Sequence, residues 1–186
     1  MEPQYSKVLD KARPYLSTIG DVVGKYNLDL PKFISQIAQE SGFNPKAVNP
    51  AGAVGISQFM PGTAQMYGLK DRTDPIASLH AQAKHMRDLL DENQGNYDLA
   101  LAAYNAGQGR VNQAKGIPNI PETQQYIRKI NELSMGLAPM LNQNVPQPTM
   151  QQEQAMPAQK VLEAASVAPR QENKGNLVDT ITSLMA

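Results

Sequence analysis

Glu40 is the residue best placed to do chemistry. It follows Phe33 by seven positions and Ile37 by three, so a helical period carries an acid along an apolar stripe. It also lies near the end of that helix, where the negative end of the macrodipole opposes a second negative charge. Partial burial acts in the same direction, and both favour the protonated acid that can give a proton to a leaving oxygen. Taken alone, a glutamate at a helix end is ordinarily a solvated surface group. Further along, the amides and hydroxyls of Gln58, Tyr104 and Asn105 can donate and accept hydrogen bonds, while Met60 and the tyrosines offer apolar surface. Each has a structural alternative: Tyr104 and Tyr126 as core tyrosines, Met60 as packing, Glu122 as an acid in a first helical turn.

The elements that must position these groups read as helices. From Tyr5 to Tyr26 the apolar residues Val8, Leu9, Leu16, Ile19, Val22 and Val23 recur at helical spacing, interrupted by Pro14, which predicts one kinked helix or two short ones. Pro31 suits the first turn of the next helix, whose stripe Phe33, Ile34, Ile37 and Ala38 stops at Gly42 and Pro45, just after Glu40. The segment NPAGAVGISQFMPGTAQMYG is dense in Gly and Pro and predicts a shaped loop before a short helix at Thr63 to Tyr67. Pro75 opens a long amphipathic helix that ends near Gly95, and Tyr97 to Ala106 forms an alanine-rich helix capped by Gly107. A last helix starts at Glu122 and runs to about Met135. No alternating pattern of strand length occurs, so the expected fold class is mainly α.

Residues 136–186 change character. They combine Pro, Gln, Asn and Met with little periodicity, which predicts a mobile linker, followed by weak helices at Gln159 to Val167 and Leu177 to Met185 too short to stand without a partner. The expected organisation is an N-terminal helical segment, 1–27, packing on a catalytic domain, 28–135, with a Pro/Gln-rich tail, 136–186, suited to docking.

Composition excludes several functions. Lys plus Arg and Asp plus Glu each number 17, so no net positive charge points to nucleic acid or anionic lipid, and a neutral polymer such as a sugar chain fits better. Cysteine is absent, which removes thiol catalysis and disulfide staples. No stretch approaches the roughly 20 apolar residues of a membrane span, and the N-terminus lacks the apolar core and cleavage site of a signal peptide. His80 and His85, five residues apart on a helix, point about 140° from each other and are expected in solvent, not on a metal. The Asp71 to Asp74 region lacks the ligand alternation of a calcium loop. Arg128 and Lys129 read as exposed helix surface with no assigned function.

Four ordered blocks then carry a specific resemblance. Glu40-Ser41-Gly42-Phe43-Asn44-Pro45, Gly55-Ile56-Ser57-Gln58-Phe59-Met60-Pro61-Gly62-Thr63-Ala64, Ala103-Tyr104-Asn105-Ala106-Gly107, and Pro121-Glu122-Thr123-Gln124-Gln125-Tyr126-Ile127 together resemble the soluble lytic transglycosylase family over about Leu28 to Leu133. The resemblance implies a lysozyme-like fold and cleavage of peptidoglycan between N-acetylmuramic acid and N-acetylglucosamine. Glu40 would act as acid and then as base, and the muramic acid's C6 hydroxyl would close a 1,6-anhydro ring, so that one carboxylate suffices where common glycosidases need two. It further implies that Ser41, Asn49, Gln58, Met60, Tyr104, Asn105, Glu122 and Tyr126 meet the glycan, with no metal and no organic cofactor. Asn49 departs from the pattern, which usually has Ser there; an amide still hydrogen-bonds, so the contact alters and the chemistry stays.

Two other readings stand beside this one: a hydrolytic muramidase on the same scaffold, and a peptidoglycan-binding or virion structural module without turnover. Since peptidoglycan lies outside the cytoplasmic membrane and no export signal is visible, the expected setting is a phage virion, the tail tethering the enzyme to other virion proteins. The alternative is a bacterial enzyme delivered by a specialised secretion machine.

Overall fold

The computed structural model describes residues 3–142. Helix α1, Pro3–Ala12, passes through a short 3₁₀ turn, Arg13–Tyr15, into α2, Leu16–Tyr26, so the break predicted at Pro14 takes the form of two helices. Helix α3, Leu30–Ser41, starts where the Asp29 carboxylate accepts the Lys32 amide at 2.8 Å, with Pro31 in its first turn, and stops at Gly42 with φ +59°. A long loop follows, tied by two isolated antiparallel bridges, Val48 to Val54 and Val54 to Phe59, before α4, Pro61–Met66. Helix α5, Pro75–Glu92, is capped by Asp74, whose carboxylate accepts the Ile76 and Ala77 amides. Helix α6, Tyr97–Ala106, begins at Asn96 and gives way at Gly107, φ +91°, to α7, Gln108–Ala114, a helix the sequence reading does not contain.

Helix α8, Pro121–Asn142, corrects the expected helix end at Met135. Gly136 and Pro139 suggest a stop, yet Gly136 is where the ring of Tyr5 crosses the helix, so close that a Cβ there would lie 2.0 Å from a ring carbon. Leu137 and Leu141 beyond it are buried, and their packing outweighs the hydrogen bond that Pro139 cannot donate. The rest of the expected tail, with its two weak helices, lies outside the described residues.

One apolar core joins the elements. Phe33, Ile34 and Ile37 of α3 are fully buried in it, together with Tyr126, Ile127 and Ile130 of α8 and Leu79 and Met86 of α5. Leu9, Ala12, Leu16 and Ile19 belong to the same cluster, so the N-terminal helices and the helix bearing Glu40 share one core. A smaller cluster of Phe59, Ala64, Leu69 and Ala81 seats the long loop and α4 on α5. Polar groups cross-link the bundle where Lys32 Nζ donates to Asn131 Oδ1 at 2.6 Å and Asn131 Nδ2 donates to Asp98 Oδ1 at 2.9 Å. No helix among the described residues is long and apolar enough to cross a membrane.

Candidate active site

A cleft of about 430 Å³ opens between α3, the long loop, α6 and α8. Glu40 lies in its wall at the last turn of α3, where Phe33 and Ile37 hold the helix against the core and leave only the final turn to reach the opening. The Tyr126 hydroxyl, from α8, donates to Glu40 Oε1. Burial raises the Glu40 pKa from its ordinary 4.5 to about 8, and the Tyr126 bond opposes part of that rise. The acid is therefore protonated at neutral pH. Tyr104 and Tyr126 themselves are held neutral by burial and by the nearby Glu40 carboxyl, both pKa values lying well above the ordinary tyrosine value.

The structure brings most of the expected site residues to this cleft. Asn49, Gln58, Met60, Tyr104, Asn105, Glu122 and Tyr126 line it with Glu40. Several are already engaged with the protein. Asn49 Oδ1 accepts the Ala51 amide at 2.7 Å and the Ala53 amide at 3.3 Å, so the residue that departs from the family pattern closes the turn from which it projects. Gln58, with φ +48°, spends its Nε2 on the carbonyls of Ala47 and Gly55, and the Tyr104 hydroxyl donates to the Ser57 carbonyl at 2.8 Å. Asn105 Oδ1 accepts from Thr123 Oγ1 at 2.7 Å, which joins α6 to α8 at the cleft rim. Met60 and Glu122 are exposed in the opening.

Three expectations change. Ser41 is not among the cleft-lining residues: its hydroxyl donates to the Ile56 carbonyl at 2.7 Å, because the turn after Glu40 folds the long loop back over the helix end. Lys129, read as featureless surface, lines the cleft, as do Gln39 and Gln125. Glu122, Gln125, Tyr126 and Lys129 follow the spacing of one helix face, so the periodicity already held this signal. His85 is half-buried, whereas His80 is exposed as expected. Its ring sits 4.8 Å from that of Tyr67 and 4.9 Å from that of Tyr104, between elements that only the tertiary fold brings together. Burial depresses its pKa to about 4, so it stays neutral beside Tyr104.

A family model described as the transglycosylase SLT domain matches residues 18–127. The chain is similar to membrane-bound lytic murein transglycosylase D of Escherichia coli K12, 34% identical over 165 residues, covering 78% of this chain and 36% of that protein. It is also similar to a transglycosylase of Enterobacteria phage PRD1, 31% identical over 131 residues, covering 70% of this chain and 48% of the relative. Among solved structures, an inactive mutant of the lytic transglycosylase Slt from Pseudomonas aeruginosa superposes with a TM-score of 0.61 at 27% identity, over 72% of this chain and 25% of that one. The chain thus spans less than half the length of each of these relatives.

Proposed function

The chain belongs to the transglycosylase SLT domain family, and from that premise we propose that it cleaves the β-1,4 bond between N-acetylmuramic acid and N-acetylglucosamine of peptidoglycan, with Glu40 as acid and then base. The observation that carries this reading is the setting of Glu40: a carboxyl held neutral by burial in a cleft wall, with Oε1 engaged by Tyr126. Oε2 then holds the proton that passes to the glycosidic oxygen as its bond to C1 breaks. The carboxylate so formed is stabilised by the Tyr126 hydroxyl and removes the proton from the C6 hydroxyl of the muramic acid as that oxygen attacks C1. The ring closes to the 1,6-anhydro form, Glu40 regains its proton, and no water is consumed. Gln58, Met60, Tyr104, Asn105, Glu122 and Asn49 make the walls that hold the sugars.

Mass spectrometry of purified peptidoglycan after digestion tests the chemistry. Products ending in anhydromuramic acid, one water lighter than a reducing end, are expected. Water-added products would overturn the ring closure and point to Glu122, the other carboxylate in the cleft lining, as the group activating water. Absence of any product would leave a binding or structural module. For biological setting, the phage relative supports local cell-wall penetration by a virion enzyme during DNA entry. The protein is then expected in purified particles; finding it only in lysate supernatant would overturn that placement.

A further inference from the structure

Gln36 is a fully buried polar residue one helical turn before Glu40, set among the apolar residues of α3. Its Nε2 donates to the Tyr126 hydroxyl oxygen at 3.3 Å and lies 3.4 Å from Met86 Sδ. Tyr126 in turn donates to Glu40 Oε1. The amide oxygen of Gln36 has no hydrogen-bond partner among the described residues. A leucine or methionine would fill this space with no unpaired oxygen, so the glutamine is a costly choice for packing alone. Its orientation is set by its neighbours: a thioether sulfur offers only lone pairs, so Met86 selects the N–H end of the amide, and that end also meets Tyr126.

We propose that Gln36 is a positioning residue that acts through Tyr126 to confine the exchangeable proton of Glu40 to Oε2, the oxygen Tyr126 does not hold. This rests on the reading of Glu40 as the acid. With a lone pair of the Tyr126 oxygen occupied by the Gln36 amide, the hydroxyl hydrogen is left to Glu40 Oε1. Oε1 therefore accepts a hydrogen bond in both protonation states, and the proton that titrates and reacts stays on the other oxygen. Without Gln36 the hydroxyl is free to rotate and accept from a proton on Oε1. The neutral acid then exchanges the bond that Oε1 accepts for one that it donates, an arrangement closed to the carboxylate, and its proton is stored where it does not serve the substrate.

Turnover as a function of pH for Gln36→Met, Tyr126→Phe and the double variant tests this. Gln36→Met is expected to lower kcat about tenfold with KM little changed, a fraction of a full general-acid contribution, and to move the alkaline limb of the profile to higher pH. Adding Gln36→Met to Tyr126→Phe is expected to change neither by more than about twofold, because the two residues act in series. An unmoved alkaline limb, or effects that multiply in the double variant, would overturn the proposal. Gln36→Leu repeats the test with a differently shaped side chain, so a packing fault peculiar to methionine does not decide it. Full activity of Glu40→Gln would instead overturn the underlying acid assignment, whereas an inactive Glu40→Gln beside a wild-type-like Gln36→Met would overturn only the role given to Gln36.

Discussion

Glu40→Gln is expected to lower turnover by at least about a thousandfold and, at neutral pH, to make the protein more stable. The amide has the size of the acid and keeps an oxygen for Tyr126, so the cleft and its hold on glycan persist while the transferable proton is gone. The stability gain follows from proton linkage. Glu40 has a folded-state pKa of about 8 against an ordinary 4.5, so between those values the folded chain binds a proton that the unfolded chain has released. The wild type therefore loses stability as pH rises from the lower value to the higher, and the loss levels off above the folded pKa. At pH 7 the loss is on the order of 3 kcal/mol, which the glutamine avoids, corresponding to a rise of roughly 6–10 °C in Tm. Below the unfolded pKa both chains should melt alike. The same ionisation sets activity: wild-type turnover should fall as pH rises through about 8, since the acid is then lost. Thermal unfolding at about pH 4 and 7, with glycan cleavage at each, checks both effects. Equal activity of variant and wild type would remove Glu40 from its assigned role, and equal Tm at both pH values would mean that its carboxyl is solvated.

The parts of this molecule legible in the sequence are those with local causes. Pro31 and Pro75 mark helix starts because a missing N–H costs nothing in the first turn, and Gly42 marks a stop through its left-handed backbone, while the capping side chains of Asp29, Asp74 and Asn96 came only with the structure. What stayed hidden depends on partners distant in sequence. The end of α8 is decided by Tyr5 crossing at Gly136, and the burial of His85 by rings from α4's edge and α6. Ser41 has the right type for a sugar contact, yet its hydroxyl goes to Ile56, a partner fixed only once the loop folds back. At the site, Glu40 was legible from its stripe and the family motifs. Its bond to Tyr126, from 86 residues away, and the contribution of Gln36 were not, because no periodicity encodes which buried polar groups meet. Lys129 is a different case: its spacing from Glu122 and Tyr126 placed it on the cleft face, and a generic expectation for charged residues hid it.

Gly55→Ala is expected to be among the most damaging single-methyl additions in the loop that walls the cleft. Gly55 has φ +89°, and a Cβ built there would lie 1.8 Å from the Arg72 carbonyl oxygen and 3.0 Å from its carbon. Both are backbone atoms, so no side-chain rotation relieves the overlap. Nor is the Arg72 segment free to retreat. Its guanidinium Nη1 donates to the carbonyls of Gly52 and Phe59, each at 2.8 Å, and its own carbonyl accepts from Ser78 Oγ at 3.2 Å. Making room must separate this turn from the loop and disturb the Gly55 carbonyl that anchors Gln58 Nε2 at 2.9 Å, and with it the part of the cleft lining that Gln58 supplies. Gly52 supplies the control, since it has φ +94° but nothing within 4 Å of an added Cβ. Gly52→Ala should therefore lose only the conformational part, about 1 kcal/mol. Gly55→Ala should lose about 3 kcal/mol or more, roughly 6–12 °C in Tm, with kcat/KM down at least about tenfold as the wall shifts. Thermal melts and cleavage rates of the two variants side by side separate backbone strain from collision. Equally small losses would show that the Arg72 turn moves aside at little cost and that the loop is not clamped by it.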